Sequence, residues 1–376
     1  MKSKNTESGK NVLIVAGEAS GDNLGSSIME EWKKQENVRF FGTGGSKMEK
    51  SGAEILYNIH DLEVIGFSGV VRKYRYLKKT IARLALEARN RNVRTAVLID
   101  YPGFNLRLAA ELKQYGILSY AVVSPQIWAW NYSRVEKIRQ FFHSVLCLYP
   151  FEIKIYEKEN ISAHFIGHPL AEEIRNFIAA KKQATGIEKK KQGKTVALLP
   201  GSRTREIESL LPVMSQLAAL YREKYPDTRF ILTSPNPRAY QMEIPDFIEK
   251  TRESSHEVIY RSDAAVACSG TVTLELALFG VPYFLLYKTS FLNYVIFKRL
   301  IKIPYIGIAN VIAGKFIVRE FLQKNLDAMS MLPELEAILR DKKYIQEMKD
   351  TFTGIRKELG HFSSARKAAN IMSKGL

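Results

Sequence analysis

Several residue types are scarce in this chain, and each scarcity excludes something. Only two cysteines occur in 376 residues. Cys147 and Cys268 each stand inside an apolar run, which excludes a disulfide framework and leaves buried, reduced thiols as the expectation. The six histidines show no H-E-x-x-H spacing, and no Asp-x-Asp is found, so no metal and no other cofactor is expected. A G-x-S-x-G nucleophile turn is also missing. Long apolar runs are absent too. The longest uncharged stretch, Gln114 to Ser133, is interrupted by Gly116, Ser124, Pro125 and Gln126, so no transmembrane helix is expected. The first apolar run, Val12 to Ala16, is too short for a signal-peptide core, and a cytoplasmic chain is expected. Acids are in deficit as well, 39 against 56 Lys and Arg, for a formal charge of +17; an anionic partner follows from that balance.

What the chain does contain is a unit that occurs twice. At Asn11 to Gly25 (NVLIVAGEASGDNLG) and again at Thr195 to Glu206 (TVALLPGSRTRE), an apolar run meets a small-residue turn and then a helix start. That arrangement aims backbone N–H groups and a helix dipole at one point, which suits an anion. Neither loop has the spacing of a dinucleotide site or a P-loop. Two such units predict two nucleotide-binding-type domains facing a shared cleft, and the length agrees with two domains.

The intervening pattern gives an α/β class. Val12 to Ala16, Arg39 to Gly42, Ala96 to Ile99, Ser119 to Val123, Ser144 to Leu148 and His164 to Ile166 read as strands separated by helical patterns. A second series reads at Thr195 to Leu199, Arg229 to Thr233, Glu257 to Tyr260, Ala264 to Ala267 and Val281 to Leu286. Such alternation predicts parallel sheets covered on both faces. The expected division is a first domain over 1–178, a Lys- and Gln-rich linker over 179–194, a second domain over 195–345, and a final helix, roughly Asp341 to Lys374, packing on either domain.

The positive charge is concentrated. From Arg72 to Arg94 there are nine Lys or Arg and one acid, Glu87, while Val70, Tyr74, Leu77, Ile81, Leu84 and Ala88 recur at helical spacing. Lys288 to Lys302 (KTSFLNYVIFKRLIK) again mixes bulky apolar and basic residues. Two such patches favour peripheral contact with an anionic membrane surface over an ordinary surface helix. Zinc-finger spacing, an RNP-like aromatic run and a basic tail are all missing, so a nucleic-acid partner is not expected.

In parallel sheets, ligands gather at the carboxyl ends of strands, and four strand exits carry chemistry. Glu18, Ser20 and Asp22 in GEASGD offer partners for hydroxyl or amine groups, although Ser20 or Asp22 capping the helix is an equally open account. Asp100 follows a strand and is the only charge between Arg94 and Arg107; it is placed to take a proton from a hydroxyl, with Asn105 orienting a sugar, or else it simply forms the turn before Pro102. Gly201, Ser202 and Arg203 would bind an anion through backbone N–H groups and a guanidinium. Ser269, Gly270 and Thr271 begin a helix that carries Glu275, the only charge between Asp263 and Lys288; a carboxylate in so apolar a segment needs partners, and ribose hydroxyls would serve. Trp128 and Trp130 would wall a sugar or acyl group, with core packing the competing account.

Taken in order, GEASGD, Asp100-x-Pro-x-Phe-Asn105, SPQIWAW at 124–130, FIGHP at 165–169, LLPGSR at 198–203, SGTVTLE at 269–275 and the segment from Asn310 to Gln323 closely resemble the lipid A disaccharide synthase family. The resemblance covers most of the chain. It implies an inverting glycosyltransferase with two Rossmann-like domains in the GT-B arrangement. Its donor is UDP-2,3-diacylglucosamine and its acceptor 2,3-diacylglucosamine 1-phosphate, joined with release of UDP on the inner face of the cytoplasmic membrane. It also implies UDP contacts at Arg203, Ser269, Thr271, Glu275, Asn310 and Gln323, and acceptor contacts at Glu18, Ser20, Asp100 and Asn105. Two positions depart from the family pattern: Gly103 stands where a second acid is common, and Ile308-Ala309-Asn310 replaces Leu-Pro-Asn. A UDP-sugar 2-epimerase shares the architecture and is the rival enzyme; a nucleic-acid-binding protein is the non-enzymatic rival. Oligomeric state, acyl-chain length and linkage are left open.

Overall fold

The computed structural model describes residues 9–63, 70–128, 132–185, 193–289 and 304–375. It divides into two compact units, Met1–Pro169 with His361–Leu376, and Leu170–Gly360.

The first unit is built on seven strands: β1 (Lys10–Ala16), β2 (Val38–Gly44), β3 (Ala53–Asn58), β4 (Thr95–Ile99), β5 (Leu118–Val122), β6 (Ser144–Cys147) and β7 (Ala163–Phe165). Every pairing is parallel, in the order β3-β2-β1-β4-β5-β6-β7. The central strands read as near-continuous apolar runs because both of their faces are covered; Val12 to Ala16 and Ala96 to Ile99 are fully buried. One face packs with Leu84, Leu108 and Ile138, the other with Ile28, Trp32 and Met372. The strand order reverses direction between β1 and β4, the switch point where open parallel sheets bind ligands. Ala16 pairs with Ile99 and Ile99 with Val122, so Gly17, Asp100 and Val123 emerge side by side.

The second unit repeats the plan with β8 (Thr195–Leu199), β9 (Arg229–Leu232), β10 (Ile248–Lys250), β11 (Ala264–Cys268), β12 (Tyr283–Tyr287) and β13 (Glu320–Leu322), all parallel, in the order β10-β9-β8-β11-β12-β13. Its switch point lies between β8 and β11, where Leu199 pairs with Ala267. Cys147 and Cys268 are both free and buried.

Four expectations change. Glu257 to Tyr260 lies in a helix, Ser255–Tyr260, because the Ser254 side chain accepts from the Glu257 N–H and caps it. The linker expected from residue 179 is helical as far as Thr185, in the helix Pro169–Thr185; residues 186–192 lie outside the described residues. The change of unit falls at Pro169/Leu170 instead. The single final helix is two, Lys342–Glu358 and Ser364–Met372, separated at Gly360, whose φ is +89°. The first belongs to the second unit and the other returns to the first unit.

The basic segment does form a helix, Val70–Asn90. Ile81, Leu84, Ala85 and Ala88 are buried in the core of the first unit, while Arg75, Lys78, Lys79 and Arg83 are exposed. From Leu77 to Ala88 the apolar stripe is therefore occupied by the protein itself, and what faces solvent along that stretch is mainly the basic side. Most of the second basic segment, from residue 290 onward, lies outside the described residues. No described helix is long and apolar enough to cross a membrane.

Candidate functional site

In the first unit the chemistry collects at the β1, β4 and β5 exits. Asp100 and Tyr101 both adopt left-handed backbone conformations, φ +49° and +46°, and Val123 beside them has φ +65°. Consecutive non-glycine residues in that region store strain. The strain is held in place by named bonds. The Asp100 N–H donates to Val122 O at 2.8 Å, the Asn105 amide donates to Ile99 O at 3.3 Å and to Asp100 O, and Pro102 opens the following helix at its first turn. The Tyr101 ring stacks on Phe104 and lies over Gly17, where a Cβ would come within 2.5 Å of it. Glycine at 17 is thus the condition for Tyr101 to sit where it does. Burial pushes the Asp100 carboxyl above the usual aspartate range, and a backbone hydrogen bond from Tyr101 opposes part of that. A half-buried carboxylate of raised basicity at a switch point is equipped to accept a proton.

The GEASGD loop divides by role. Glu18, at the N-cap of the helix Ala19–Lys33, and Ser20 are exposed, and neither caps the helix through its side chain. Asp22 differs from the expectation. It is buried, and its two oxygens accept from the N–H groups of Gly45, Lys47 and Met48 at 2.7, 3.1 and 3.1 Å, holding the short helix Ser46–Lys50. Its side chain serves the fold. Asn105 is buried too: its Nδ2 holds the Asp100 turn, while its Oδ1 meets no hydrogen-bond partner among the described residues. Gly103 is exposed, and a side chain there would meet nothing within 4 Å, so the chain has room for the acid that it lacks.

At the β5 exit, the Trp128 Nε1 donates to Glu152 Oε1 at 2.9 Å and its ring stands edge-on to Phe151. Ser124 donates to the same oxygen. Glu152 is buried and also takes the Tyr149 N–H at 3.1 Å, tying the SPQIW turn to the β6 exit. Trp130 lies outside the described residues. His164 and His168 stand four residues apart but do different things: the first is exposed on β7, while the second has Nε2 3.4 Å from the Tyr149 hydroxyl.

In the second unit a cavity of about 530 Å³ lies at the carboxyl ends of β8 to β11. Gly201, Ser202 and Arg203 line it from β8, Ser234 from β9, Arg252 and Ser255 from the β10 side, and Ser269, Gly270, Thr271 and Glu275 from β11. Two helices of the unit, Thr204–Lys224 and Thr271–Phe279, begin at its rim. Gly201 has φ +107°, and a Cβ there would fall 2.6 Å from Glu206 Oε2, so the close turn requires glycine. Glu206 closes the first turn by accepting the Arg203 N–H at 3.2 Å and Nη1 at 2.8 Å. Ser234 Oγ donates to Gly201 O and Asn236 Nδ2 to Ser202 O, fixing the loop. The volume suits a nucleotide, and the paired helix starts with Arg203 and Arg252 suit its phosphates.

Two expected residues are absent from this lining. Asn310 is fully buried, donating to Val318 O and Glu320 Oε1 and accepting from the Ile317 and Val318 N–H groups, all at 2.8 to 2.9 Å. Its side-chain hydrogen bonds are spoken for by the unit's own backbone and Glu320. Gln323, at φ +51°, accepts the Thr289 N–H at 3.3 Å. Arg252, Ser255 and Asn236 were not anticipated. The signal for Asn236 was a run of small polar residues and prolines directly after a strand; Arg252 and Ser255 follow a strand too short to read.

Comparison with known proteins decides the affiliation. A family model described as Lipid-A-disaccharide synthetase matches residues 12–374. The chain belongs to the lipid-A-disaccharide synthetase family. The lipid-A-disaccharide synthase of Trichlorobacter lovleyi is 33% identical over 372 residues, 96% of this chain and 97% of its own. Among solved structures, the glycotransferase of kitacinnamycin superposes with a TM-score of 0.64 at 14% identity, covering 98% of this chain and 99% of that one. UDP-GlcNAc 2-epimerase from Neisseria meningitidis gives 0.62 at 11%, covering 97% and 98%. These likenesses show the GT-B type of fold, two Rossmann-like units, and a transferase and an epimerase share it. The lipid-A-disaccharide synthetase affiliation therefore rests on the sequence match, which disfavours the epimerase reading.

Proposed function

We propose that the chain joins the 6-hydroxyl of 2,3-diacylglucosamine 1-phosphate to the anomeric carbon of UDP-2,3-diacylglucosamine, forming the β-1,6-linked disaccharide 1-phosphate of lipid A and releasing UDP. The observation that carries this is the full-length family match over residues 12–374. In the mechanism we infer, Asp100 accepts the proton of the 6-hydroxyl as its oxygen forms the new C–O bond. The bond from the anomeric carbon to the diphosphate oxygen breaks on the opposite face, which inverts the centre. UDP leaves with the bonding electron pair. The helix starts at Arg203 and Thr271, with the Arg203 guanidinium, stabilise its charge. Glu18 and Ser20, exposed beside Asp100's strand exit, contact the acceptor, and Glu275 receives ribose hydroxyls.

The exposed basic face of the helix Val70–Asn90 supports peripheral attachment to the anionic inner face of the cytoplasmic membrane, where acylated substrates reside. With the apolar stripe from Leu77 to Ala88 packed inward, the contact along that stretch is electrostatic. The test of function is direct. Purified protein with both acylated substrates should yield a disaccharide 1-phosphate by mass spectrometry and UDP in equal amount. UDP formed without the acceptor, or a change in the donor sugar's configuration, would overturn the transferase reading.

A further inference from the structure

Glu275 stands on the helix Thr271–Phe279 and lines the cavity of the second unit. Its side chain is only 13% exposed. A carboxylate so enclosed needs partners to stay charged and fixed, and the adjacent helix Ser255–Tyr260 supplies two. Ser255 Oγ donates to Oε2 at 3.1 Å, and His256 Nε2 lies 3.6 Å from the same oxygen. The other ring nitrogen of His256, Nδ1, lies 3.9 Å from Glu173 Oε1, so each nitrogen faces a carboxylate. The imidazole is enclosed edge-on by Phe177 and Phe279, at centroid distances of 5.6 and 5.5 Å, and those two rings meet each other at 5.7 Å. Lys181, the nearby cation on the helix Pro169–Thr185, pairs with Glu257 at 2.7 Å.

These contacts have a direction. Ser255 hydrogen-bonds Oε2 and the His256 ring stands within ion-pair distance of the same oxygen, which holds the carboxylate by one oxygen and leaves Oε1 for a donor in the cavity. Burial raises the Glu275 carboxyl, and His256 and Ser255 pull it back toward the charged form. The charged form accepts from hydroxyls about twice as strongly as the neutral one.

We infer that His256 is a positioning residue that holds Glu275 in place to read a vicinal diol, and so gives the cavity its preference for a ribonucleotide over a deoxyribonucleotide. This rests on the proposed uridine-nucleotide occupancy of the cavity. His256 touches no substrate; it acts through Glu275, and Phe177 and Phe279 hold the ring while Glu173 faces its other nitrogen.

Calorimetric titration of the full-length protein with UDP and with 2′-deoxy-UDP tests it. The wild type should bind UDP more tightly, and Glu275→Gln should bring the two affinities together. In His256→Leu the ratio of the two dissociation constants should collapse by about tenfold, the scale of one hydrogen bond to a charged group, while 2′-deoxy-UDP affinity stays within about twofold. His256→Gln, which keeps an N–H within reach, should retain most of the preference. If His256→Leu does not fold, His256→Asn, whose amide is too short to reach Oε2, carries the same expectation. Equal weakening of both nucleotides, or an unchanged ratio, would overturn the inference while leaving the cavity's assignment standing. Failure of the wild type to bind UDP would instead overturn the assignment, and this role with it.

Discussion

Replacing Asp100 by asparagine separates the chemistry of that position from its architecture. Asparagine matches aspartate in shape and is among the few residues that tolerate the left-handed backbone found there, so the φ of +49° and the bond to Val122 should persist. The proton acceptor is lost. General-base assistance contributes ~10² to 10⁴-fold, or about 3 to 5 kcal/mol of barrier, and turnover should fall by that factor with UDP affinity unchanged. Stability should move the other way. Burial raises the carboxyl pKa in the folded protein above its unfolded value, so the folded state holds this proton more tightly than the unfolded chain does. The stability contributed by the protonated form is complete below the unfolded pKa and is lost as the pH rises through the folded one. At neutral pH the wild type therefore bears a cost that the amide does not. Differential scanning calorimetry at pH 7 should give the variant a melting temperature equal to or above the wild type's, with the advantage vanishing in acid. The acid limb of the wild-type rate profile should lie above the ordinary aspartate range. Near-normal turnover would remove Asp100 from the role of base, and lost activity accompanied by a lower melting temperature would reduce the effect to misfolding.

Other substitutions sort binding from folding. Arg203→Ala should weaken UDP binding by about tenfold or more by titration, and added magnesium should not restore it. Asp22→Ala should act on stability, costing about 1 to 3 kcal/mol by chemical denaturation because three backbone N–H groups lose their acceptor, with the KM of the folded enzyme little changed. Exchanging Lys78, Lys79 and Arg83 for glutamine should abolish cosedimentation with anionic vesicles at low salt; binding that resists both the exchange and high salt would refute electrostatic docking by this face.

The strand exits were legible because apolar runs ending in small residues record burial on both faces and a turn, two things that sequence states directly. The destination of a polar side chain is not stated there. Asp22, Asn105 and Asn310 all belong to recognisable motifs, yet Asp22 and Asn310 turn their hydrogen bonds to the protein, Asp22 to backbone more than twenty residues away, and Asn105 turns its N–H groups there. Short edge strands escaped as well: β3, β10 and β13 lack the two-sided burial that makes an apolar run. Glu257 to Tyr260 read as a strand because of its β-branched pair, and the cap from Ser254, lying outside that window, reversed it. His256 carried no sequence signal at all, since a lone histidine near apolar residues looks like core until the carboxylates from two other helices are placed against it.

The return of the helix Ser364–Met372 to the first unit has a consequence for biogenesis. Ala365, Ala368, Ala369 and Met372 complete the layer that covers Val12, Ile14, Ile28 and Trp32, Arg366 reaches Glu31 at 2.9 Å, and Thr95 donates to Gly375 O at 3.0 Å. During synthesis the first unit emerges earliest, yet the layer that Ile28 and Trp32 begin on one side of its sheet stays incomplete until the whole of the second unit has been made. The second unit is contiguous and can close first. Completion of the unit that carries Asp100 is thus deferred until residues 361–375 have been made, and a nascent chain halted before residue 361 leaves exposed the apolar surface that Ala365, Ala368, Ala369 and Met372 would cover, a target for the chaperones that attend the ribosome.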